Sequence, residues 1–404
     1  MRLTPASKAK AEVSNMTDPL IRVENLTTRF FTEDGQVNAV EGVSFEVAAG
    51  EVFGIVGESG SGKSVTALSL VDLVDSPGRV TDGSVWFRAS EIAGRLAESQ
   101  PDAVDGEMVD LLQLSPRERR ALRGTEFAMI FQDPTSSFNP SITVGKQIAE
   151  AVEVQQRAKA NPRTLRSRTQ GFGLAKFLTT SMVPTVEYVS AEAKERAVEL
   201  LDVVGIPDPA KRATEYPHQF SGGMLQRAMI AQALASEASV LIADEPTTAL
   251  DVTIQAQVLE TLAEIQEEQG MTTILITHNL GVIARMCDHV GVMYAGELVE
   301  RGTLEDLFER PAHPYTEGLL GSSPSLDDAS ERLQPIPGNV PSLLDSEMEP
   351  RCYFADRCPK AMNECLDKPP EFDATGSTGH RAKCYLADHD YNPADALPEG
   401  YFDE

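Results

Sequence analysis

The run GESGSGKS, at residues 57–64, has the residue types and spacing of a loop that wraps a polyphosphate. It follows an apolar strand-like stretch and precedes a helix-like one, which is the context that such a loop requires. Glycines let the backbone curl, so that amide N–H groups and a helix N-terminus face the anion. Lys63 adds a point charge for the β- and γ-phosphates, and the Ser64 hydroxyl can ligate Mg²⁺. The residues predicted to contact the nucleotide are Gly57, Ser59, Gly60, Ser61, Gly62, Lys63 and Ser64.

A second stretch, SVLIADEP at residues 239–246, is an apolar run that ends in two carboxylates. Such a run is typical of a strand buried on both faces, whose C-terminal end opens on a ligand crevice. Asp244 is predicted to hold Mg²⁺ through water, and Glu245 to orient or deprotonate the water that attacks the γ-phosphate. A strand followed by a helix N-cap would explain one acid but not both. Together the two stretches predict hydrolysis of a nucleoside triphosphate.

The run FSGGMLQR, at residues 220–227, offers another anion cradle, made of the Ser221 hydroxyl, the amides of Gly222 and Gly223, and a helix N-terminus. Because residues 57–64 already provide one cradle, the second is predicted to act on the nucleotide of a neighbouring chain. Taken alone, SGG could equally be a loop that caps a helix.

These stretches are predicted to be positioned by an α/β fold, because short apolar runs alternate with helical patterns from Leu20 to about Gly302. Two polar segments, at about 88–110 and about 156–190, are predicted to be surface insertions. The second is basic, so it is either a solvated loop or a contact with lipid head groups or a partner. We predict a flexible tail over residues 1–18, a nucleotide-hydrolysing domain over 19–310 with a helical subdomain at about 133–222, and a small cysteine-containing extension over 311–404.

The formal net charge of −27 argues against nucleic-acid binding, because it would repel a phosphate backbone. The apolar runs fall far short of the roughly 20 residues that cross a bilayer. The N-terminus has no apolar signal segment, so we expect the chain to stay in the cytoplasm. The scattered acidic residues suit a surface that stays hydrated in concentrated salt, as in a halophilic protein; recruitment of a basic partner is the alternative.

The order of these motifs resembles that of the ATP-binding-cassette (ABC) ATPases, whose P-loop core combines a parallel sheet, an antiparallel β subdomain and a helical subdomain. The resemblance implies that the SGG motif completes the ATP site of the opposing subunit in a head-to-tail dimer. It implies that Gln132, in AMIFQDP, contacts Mg²⁺ and the water, that Asp251 communicates across the dimer, and that His278 senses the γ-phosphate. It also implies an aromatic ring stacked on adenine, for which Phe30 is the candidate and Phe31 the competitor; Phe30 could instead be a core residue.

The runs YPHQFSGGM, DEPTTALDVTIQAQ, VMYAGELVERG and HPYTEGLL resemble the dipeptide and oligopeptide importer branch, specifically its first ATPase, over residues 20–385. Asn279 departs from the branch, which usually has Asp there. The resemblance implies a heterodimer with a homologous but distinct second ATPase subunit. It also implies two transmembrane permease subunits and, indirectly, an extracellular solute-binding protein, with the chain at the cytoplasmic face of the membrane. Nickel or another small solute is an alternative cargo, and a soluble ABC ATPase acting on ribosomes or DNA is the alternative outside transport.

Four of the five cysteines crowd the C-terminal part of the sequence. They include no Cys-x-x-Cys pair of the kind that structural zinc favours, and disulfides are disfavoured in a reducing cytoplasm. From the residues alone, an iron–sulfur cluster, zinc and metal-free thiols all remain open. Peptide importers of the branch carry a similar cysteine pattern, which implies a four-iron, four-sulfur cluster held by Cys352, Cys358, Cys365 and Cys384.

Overall fold

The structure, a computed structural model, describes residues 18–160, 189–248, 250–322, 335–344, 350–375, 379–387 and 396–397. Contacts between Cα atoms divide the chain into two compact units, Met1–Leu112 with Leu275–Glu404, and Gln113–Ile274. The tail predicted at 1–18 and the basic segment predicted at 156–190 lie almost wholly outside the described residues. Of the helices that are described, none combines the length and the apolar character needed to cross a membrane.

The described elements are numbered here in chain order. Those before residue 113 are β1 (Ile21–Thr32), β2 (Gly35–Val47), β3 (Val52–Val56), α1 (Lys63–Leu70), β4 (Gly78–Arg88), α2 (Ser90–Leu96), β5 (Val104–Asp105) and β6 (Met108–Asp110). Those from residue 113 are α3 (Pro116–Leu122), β7 (Phe127–Ile130), α4 (Pro134–Ser137), α5 (Val144–Ala160), α6 (Ala191–Val203), α7 (Pro209–Arg212), α8 (Gly222–Leu234), β8 (Val240–Asp244), α9 (Val252–Gln269) and β9 (Thr272–Ile276). The remainder are α10 (Leu280–Met286), β10 (His289–Tyr294), β11 (Glu297–Thr303), α11 (Leu304–Glu309), α12 (Pro314–Gly321), α13 (Asn363–Asp367), β12 (Asp373–Ala374) and β13 (Arg381–Ala382).

An antiparallel sheet in the first unit has the strand order β2-β1-β4-β6-β5. Val43, Phe45 and Val47 alternate with more exposed residues along β2, which is the period-2 pattern of a sheet with one buried face. The segment predicted as a polar surface insertion, 88–110, forms the helix α2 and two strands of this sheet, β5 and β6. Met108 and Val109 of this segment are buried and contribute to the core. The acidic overall composition of the segment did not indicate this burial.

The parallel strands of the first unit pack into a second sheet, in which β3 lies parallel to β10 and β11 lies antiparallel to β10. All five residues of β3 are buried, as expected of a strand covered on both faces. The C-terminal extension joins this sheet, because β13 pairs with β11 and β12 pairs with β13. The described part of the extension therefore belongs to the first unit and does not form a separate one.

A buried carboxylate fixes the extension to β11. Glu300 is fully buried, and its two oxygens accept hydrogen bonds from the backbone N–H groups of Ala312 (2.7 Å) and His313 (2.9 Å). His380 Nε2 lies 2.8 Å from the same carboxylate. Burial lowers the pKa of His313 to about 4, so this ring is neutral near pH 7 and its Nδ1 accepts from the N–H of Tyr315 (3.0 Å).

In the second unit, β7 lies parallel to β8 and the strand order is β9-β8-β7. The boundary between the two units falls inside β9. Every residue of β8 is buried, which confirms the strand predicted from the apolar run before the two carboxylates. The helices α4 to α7 occupy the described part of the segment predicted as a helical subdomain.

We expect Glu300→Gln to lower the free energy of unfolding by about 1–3 kcal/mol. The amide keeps one acceptor oxygen but places an NH₂ group where the second oxygen accepts, so a buried N–H of the extension loses its partner. Urea unfolding of the full chain measures the change. Glu309→Gln, at an exposed position of α11, is the control and should stay within about 0.5 kcal/mol of the wild type. Equal stability of both variants would contradict the role of Glu300.

Candidate nucleotide site

The loop at residues 57–64 joins β3 to α1, as the sequence predicted. A Cβ atom on Gly57 would lie 2.2 Å from the carbonyl oxygen of Met293, and one on Gly62 would lie 2.4 Å from that of Ala39. Gly62 also has a φ of +99°, which side chains disfavour. These two positions need glycine because the loop runs directly against neighbouring backbone.

Lys63, the first residue of α1, is buried with its ammonium group inside the curve of the loop. Its Nζ donates to the carbonyl oxygens of Gly57 (2.9 Å) and Glu58 (2.7 Å). Ser61 is also buried, whereas Ser59 and Gly60 are exposed at the tip of the loop. A buried cation surrounded by curled backbone is an arrangement suited to an anion with several charges.

The two candidate adenine-stacking rings differ in their surroundings. The ring of Phe30 packs against Gly78, where an added Cβ would lie 2.6 Å from a ring carbon. Phe31 is 40% exposed, and the guanidinium of Arg79 lies over its ring at 4.4 Å from the centroid. Phe31 therefore offers the more accessible ring, and adenine stacking by either residue stays a prediction.

His278 is exposed just beyond the end of β9. Its neighbour Asn279 caps α10, because the side-chain oxygen accepts from the N–H of Gly281 at 2.9 Å. An Asn cap serves a helix as well as the Asp usual in the branch. The departure at Asn279 thus keeps the local structure that carries His278.

In the second unit, Asp244 is buried at the end of β8, and Glu245 follows it in a left-handed conformation with φ of +47°. Such a conformation is uncommon for a residue with a side chain and is often found at functional sites. The Glu245 carboxylate accepts from the Thr248 hydroxyl at 2.8 Å and lies 3.5 Å from the Gln132 amide nitrogen. The structure therefore brings together Gln132 and Glu245, which the sequence linked only through the family resemblance.

Two residues that support Glu245 were missed in the sequence. Thr248 binds its carboxylate, and the fully buried Gln226 of α8 donates to the carbonyl oxygen of Pro246 at 2.8 Å. A polar side chain at an inward position of a helix is the signal that could have revealed Gln226, since such a group needs a partner.

The residues predicted to act across a dimer lie at helix N-termini. Ser221 caps α8 by accepting from the N–H of Met224 at 3.3 Å, and Asp251 caps α9 by accepting from the N–H of Ile254 at 3.0 Å. Ser221 and Gly222 are exposed, and a Cβ on Gly222 would meet nothing within 4 Å. The capping role considered for SGG is thus present, and the cradle remains open to solvent on this chain.

The four clustered cysteines line a single cavity in the extension, with an interior of about 10 Å³, which holds about one water molecule. Burial raises the pKa of Cys352 and Cys358 to about 12, that of Cys384 to about 11, and also that of Cys365. Four thiols suit a soft metal in chemistry. However, among the residues that the structure describes, no set of His, Cys, Asp or Glu side chains is grouped closely enough to hold a metal ion. The four-iron, four-sulfur cluster therefore stays a prediction.

Comparison with protein families gives two matches. Residues 40–248 match the family described as ABC transporter, and residues 299–365 match the oligopeptide/dipeptide transporter, C-terminal region. The chain therefore belongs to the ABC transporter family, as an ATPase of the ATP-binding-cassette type. Within that family it carries the C-terminal region of the oligopeptide and dipeptide transporters.

Curated relatives agree with this membership, and a solved structure shares the fold. The chain is 43% identical to the dipeptide transport ATP-binding protein DppD of Bacillus subtilis over 372 residues, which cover 92% of this chain and 96% of the relative. It is 41% identical to DppD of Escherichia coli, over 91% of this chain and 96% of the relative. The fold is similar to the dimeric ATP-binding cassette MJ0796 bound to ADP and Pi, with a TM-score of 0.53 and 23% identity over 70% of this chain and 98% of that one.

We expect Gln226→Ala to lower kcat for ATP hydrolysis by about 10- to 100-fold with little change in KM, because the loop that carries Glu245 loses its buried tether. Steady-state phosphate release at varied ATP measures both constants. Gln257→Ala, at an exposed position of α9, is the matched control and should behave as wild type. A kcat of Gln226→Ala equal to that of the control would show that the tether does not position Glu245.

Proposed function

We propose that the chain binds and hydrolyses ATP to drive an importer of dipeptides or oligopeptides. The observation that carries the ATP-binding part is the buried Lys63 inside a glycine-formed loop between β3 and α1. Its ammonium group and the amides around it suit the β- and γ-phosphates, and the Ser64 hydroxyl and Asp244 suit Mg²⁺. Gln132 is proposed to contribute to the same Mg²⁺ and to the attacking water.

Glu245 is proposed to orient the water, or to accept its proton, as the γ-phosphate is cleaved. Its strained backbone and its contacts with Thr248 and Gln132 support a fixed position for the carboxylate. His278, exposed just after β9, is proposed to contact the γ-phosphate. This assignment follows the order of the family motifs.

The working form is proposed to be a head-to-tail dimer with a homologous ATPase subunit. The exposed N-terminus of α8, with Ser221, Gly222 and Gly223, supports this proposal because its cradle is open toward solvent. Asp251 is proposed to communicate across the dimer. Closure around ATP and opening after hydrolysis would then rock two permease subunits, with the chain on the cytoplasmic face of the membrane and an extracellular solute-binding protein delivering the cargo.

Peptide as the cargo is supported by the match to the oligopeptide/dipeptide transporter C-terminal region and by relatives named for dipeptide transport. Reconstitution of the chain with its second ATPase, permeases and binding protein in vesicles tests it. ATP-driven uptake of labelled dipeptide is the expected result, whereas uptake of nickel ions but not of dipeptide would overturn this cargo.

In that assembly we expect Glu245→Gln to keep ATP binding while phosphate release falls by about 10²- to 10⁴-fold, since the amide cannot accept the proton of the water. The closed dimer should then accumulate in the presence of ATP, and size-exclusion chromatography detects it. Glu268→Gln, at an exposed position of α9, is the control. Full turnover by Glu245→Gln would remove Glu245 from the mechanism.

The extension is proposed to hold a four-iron, four-sulfur cluster through Cys352, Cys358, Cys365 and Cys384. The position of all four thiols around one cavity supports this proposal. The raised pKa values mean that binding would have to displace the thiol protons.

We expect the chain purified without oxygen to contain iron and sulfide near four of each per chain, by chemical analysis and visible absorbance, if this proposal holds. Cys358→Ser should lose most of both, because one ligand is gone. Cys287→Ser is the control, since Cys287 is buried in another part of the first unit. Iron-free protein, or protein that holds zinc alone, would overturn the assignment.

A further inference from the structure

An acidic residue, Glu58, lies inside the loop that is proposed to hold phosphates. A carboxylate at this position would repel the phosphates unless its charge were neutralised. The structure supplies the neutralising group from a part of the chain 299 residues away, Arg357 of the C-terminal extension. The nucleotide loop is thereby connected to the segment that carries the cysteines.

The connection is a bidentate ion pair between Glu58 and Arg357. Arg357 Nη1 donates to one carboxylate oxygen of Glu58 at 2.6 Å, and Nη2 donates to the other at 2.9 Å. The Arg357 side chain is only 4% exposed, while that of Glu58 is 28% exposed. Burial and bidentate geometry distinguish this pair from exposed ion pairs, which contribute little to stability.

Arg357 itself is held in place from several sides. Its Nε donates to the carbonyl oxygen of Pro337 at 2.8 Å, and its guanidinium lies 5.7 Å from the ring centroid of Tyr294. The three rings of Tyr294, Tyr315 and Phe354 pack against one another with centroids 4.6 to 5.3 Å apart. A guanidinium fixed in this way cannot follow Glu58 to a new position without disturbing its own partners.

A second bond connects the same two parts. The backbone N–H of Glu58 donates to the hydroxyl of Tyr315 at 2.8 Å. Tyr315 follows the neutral His313, whose backbone is bound by the buried carboxylate of Glu300. Both the backbone and the side chain of Glu58 are therefore held by residues beyond residue 310.

Arg357 also belongs to the cysteine-bearing segment. It ends a short 3-10 helix, Ala355–Arg357, which lies between Cys352 and Cys358. The backbone N–H of Cys352 donates to the carbonyl oxygen of Cys365 at 2.9 Å, so the cysteines share one local fold with Arg357. A change in the packing of this fold must act on the guanidinium.

We propose that Arg357 is a positioning residue for the phosphate loop, through which the C-terminal extension sets the affinity of the chain for ATP. The proposal rests on the proposed role of residues 57–64 in binding phosphates. Because coupling between two sites is reciprocal, ATP must also stabilise the extension.

The first test measures ATP affinity of the full chain with a non-hydrolysable ATP analogue. We expect Arg357→Gln and Glu58→Gln each to weaken binding by about tenfold, and the double variant to be no weaker than either single one, because all three remove the same link. Arg351→Gln is the matched control. Arg351 forms a similar bidentate pair with Asp356 in the same segment, at 2.7 and 2.9 Å, but Arg351 is more exposed than Arg357.

Arg357→Lys separates positioning from charge. Lysine keeps the positive charge but cannot form the bidentate pair. If Arg357 acts by positioning the loop, this variant should therefore also bind the analogue more weakly. If Arg357 acted only by neutralising Glu58, Arg357→Lys would bind the analogue as wild type does and Glu58→Gln would bind it more tightly. Either of these results would overturn the proposal.

The second test measures hydrogen exchange of backbone amides in residues 350–365 with and without the analogue. We expect the analogue to slow exchange there in wild type and in Arg351→Gln, but not in Arg357→Gln. Exchange that does not respond to the analogue in wild type would contradict the proposal. If Arg357→Gln fails to fold, Glu58→Gln tests the same link without a change in the extension.

Lys63→Ala keeps the two proposals apart. Loss of analogue binding by this variant is expected if residues 57–64 hold the phosphates, whatever the role of Arg357. Wild-type affinity of Lys63→Ala for the analogue would contradict the proposal that residues 57–64 bind phosphates. Loss of analogue binding by Lys63→Ala, together with wild-type affinity of Arg357→Gln, would contradict only the positioning role of Arg357.

Discussion

The close approach of backbone to backbone around the phosphate loop is the constraint on which the first unit depends. Met293, in β10, and Ala39, in β2, place their carbonyl oxygens where side chains on Gly57 and Gly62 would stand. Both sheets of this unit thus shape the loop, and the glycines are the residues that permit the contact. The resulting curl encloses the buried ammonium group of Lys63.

In the second unit, the main structural feature is a carboxylate held in a fixed position just after a buried strand. The apolar residues of β8 fix the backbone up to Asp244, and the strained Glu245 then projects beyond the strand. Its orientation depends on Thr248 and on the tether from Gln226 to Pro246. A strained backbone persists only where surrounding contacts determine it, which these bonds provide.

The C-terminal extension is part of the nucleotide-binding unit through both backbone and charge. Strand β13 lengthens the sheet at β11, and the carboxylate of Glu300 binds backbone amides at the start of α12. In the same unit, Tyr315 and Arg357 both bind Glu58. Sequence composition predicted a small cysteine-containing extension, but composition does not report which strand a short segment joins.

The sequence by itself determined the nucleotide motifs and their order, because phosphate binding requires particular residue types at fixed local spacing. It also determined buried strands such as β3 and β8, whose apolar runs are local patterns. Only the tertiary structure decided the pairs that are distant in the chain: Gln132 with Glu245, Gln226 with Pro246, and Glu58 with Arg357. The physical reason is that local spacing specifies what a residue can do, whereas the partner of a buried polar group depends on how the elements pack.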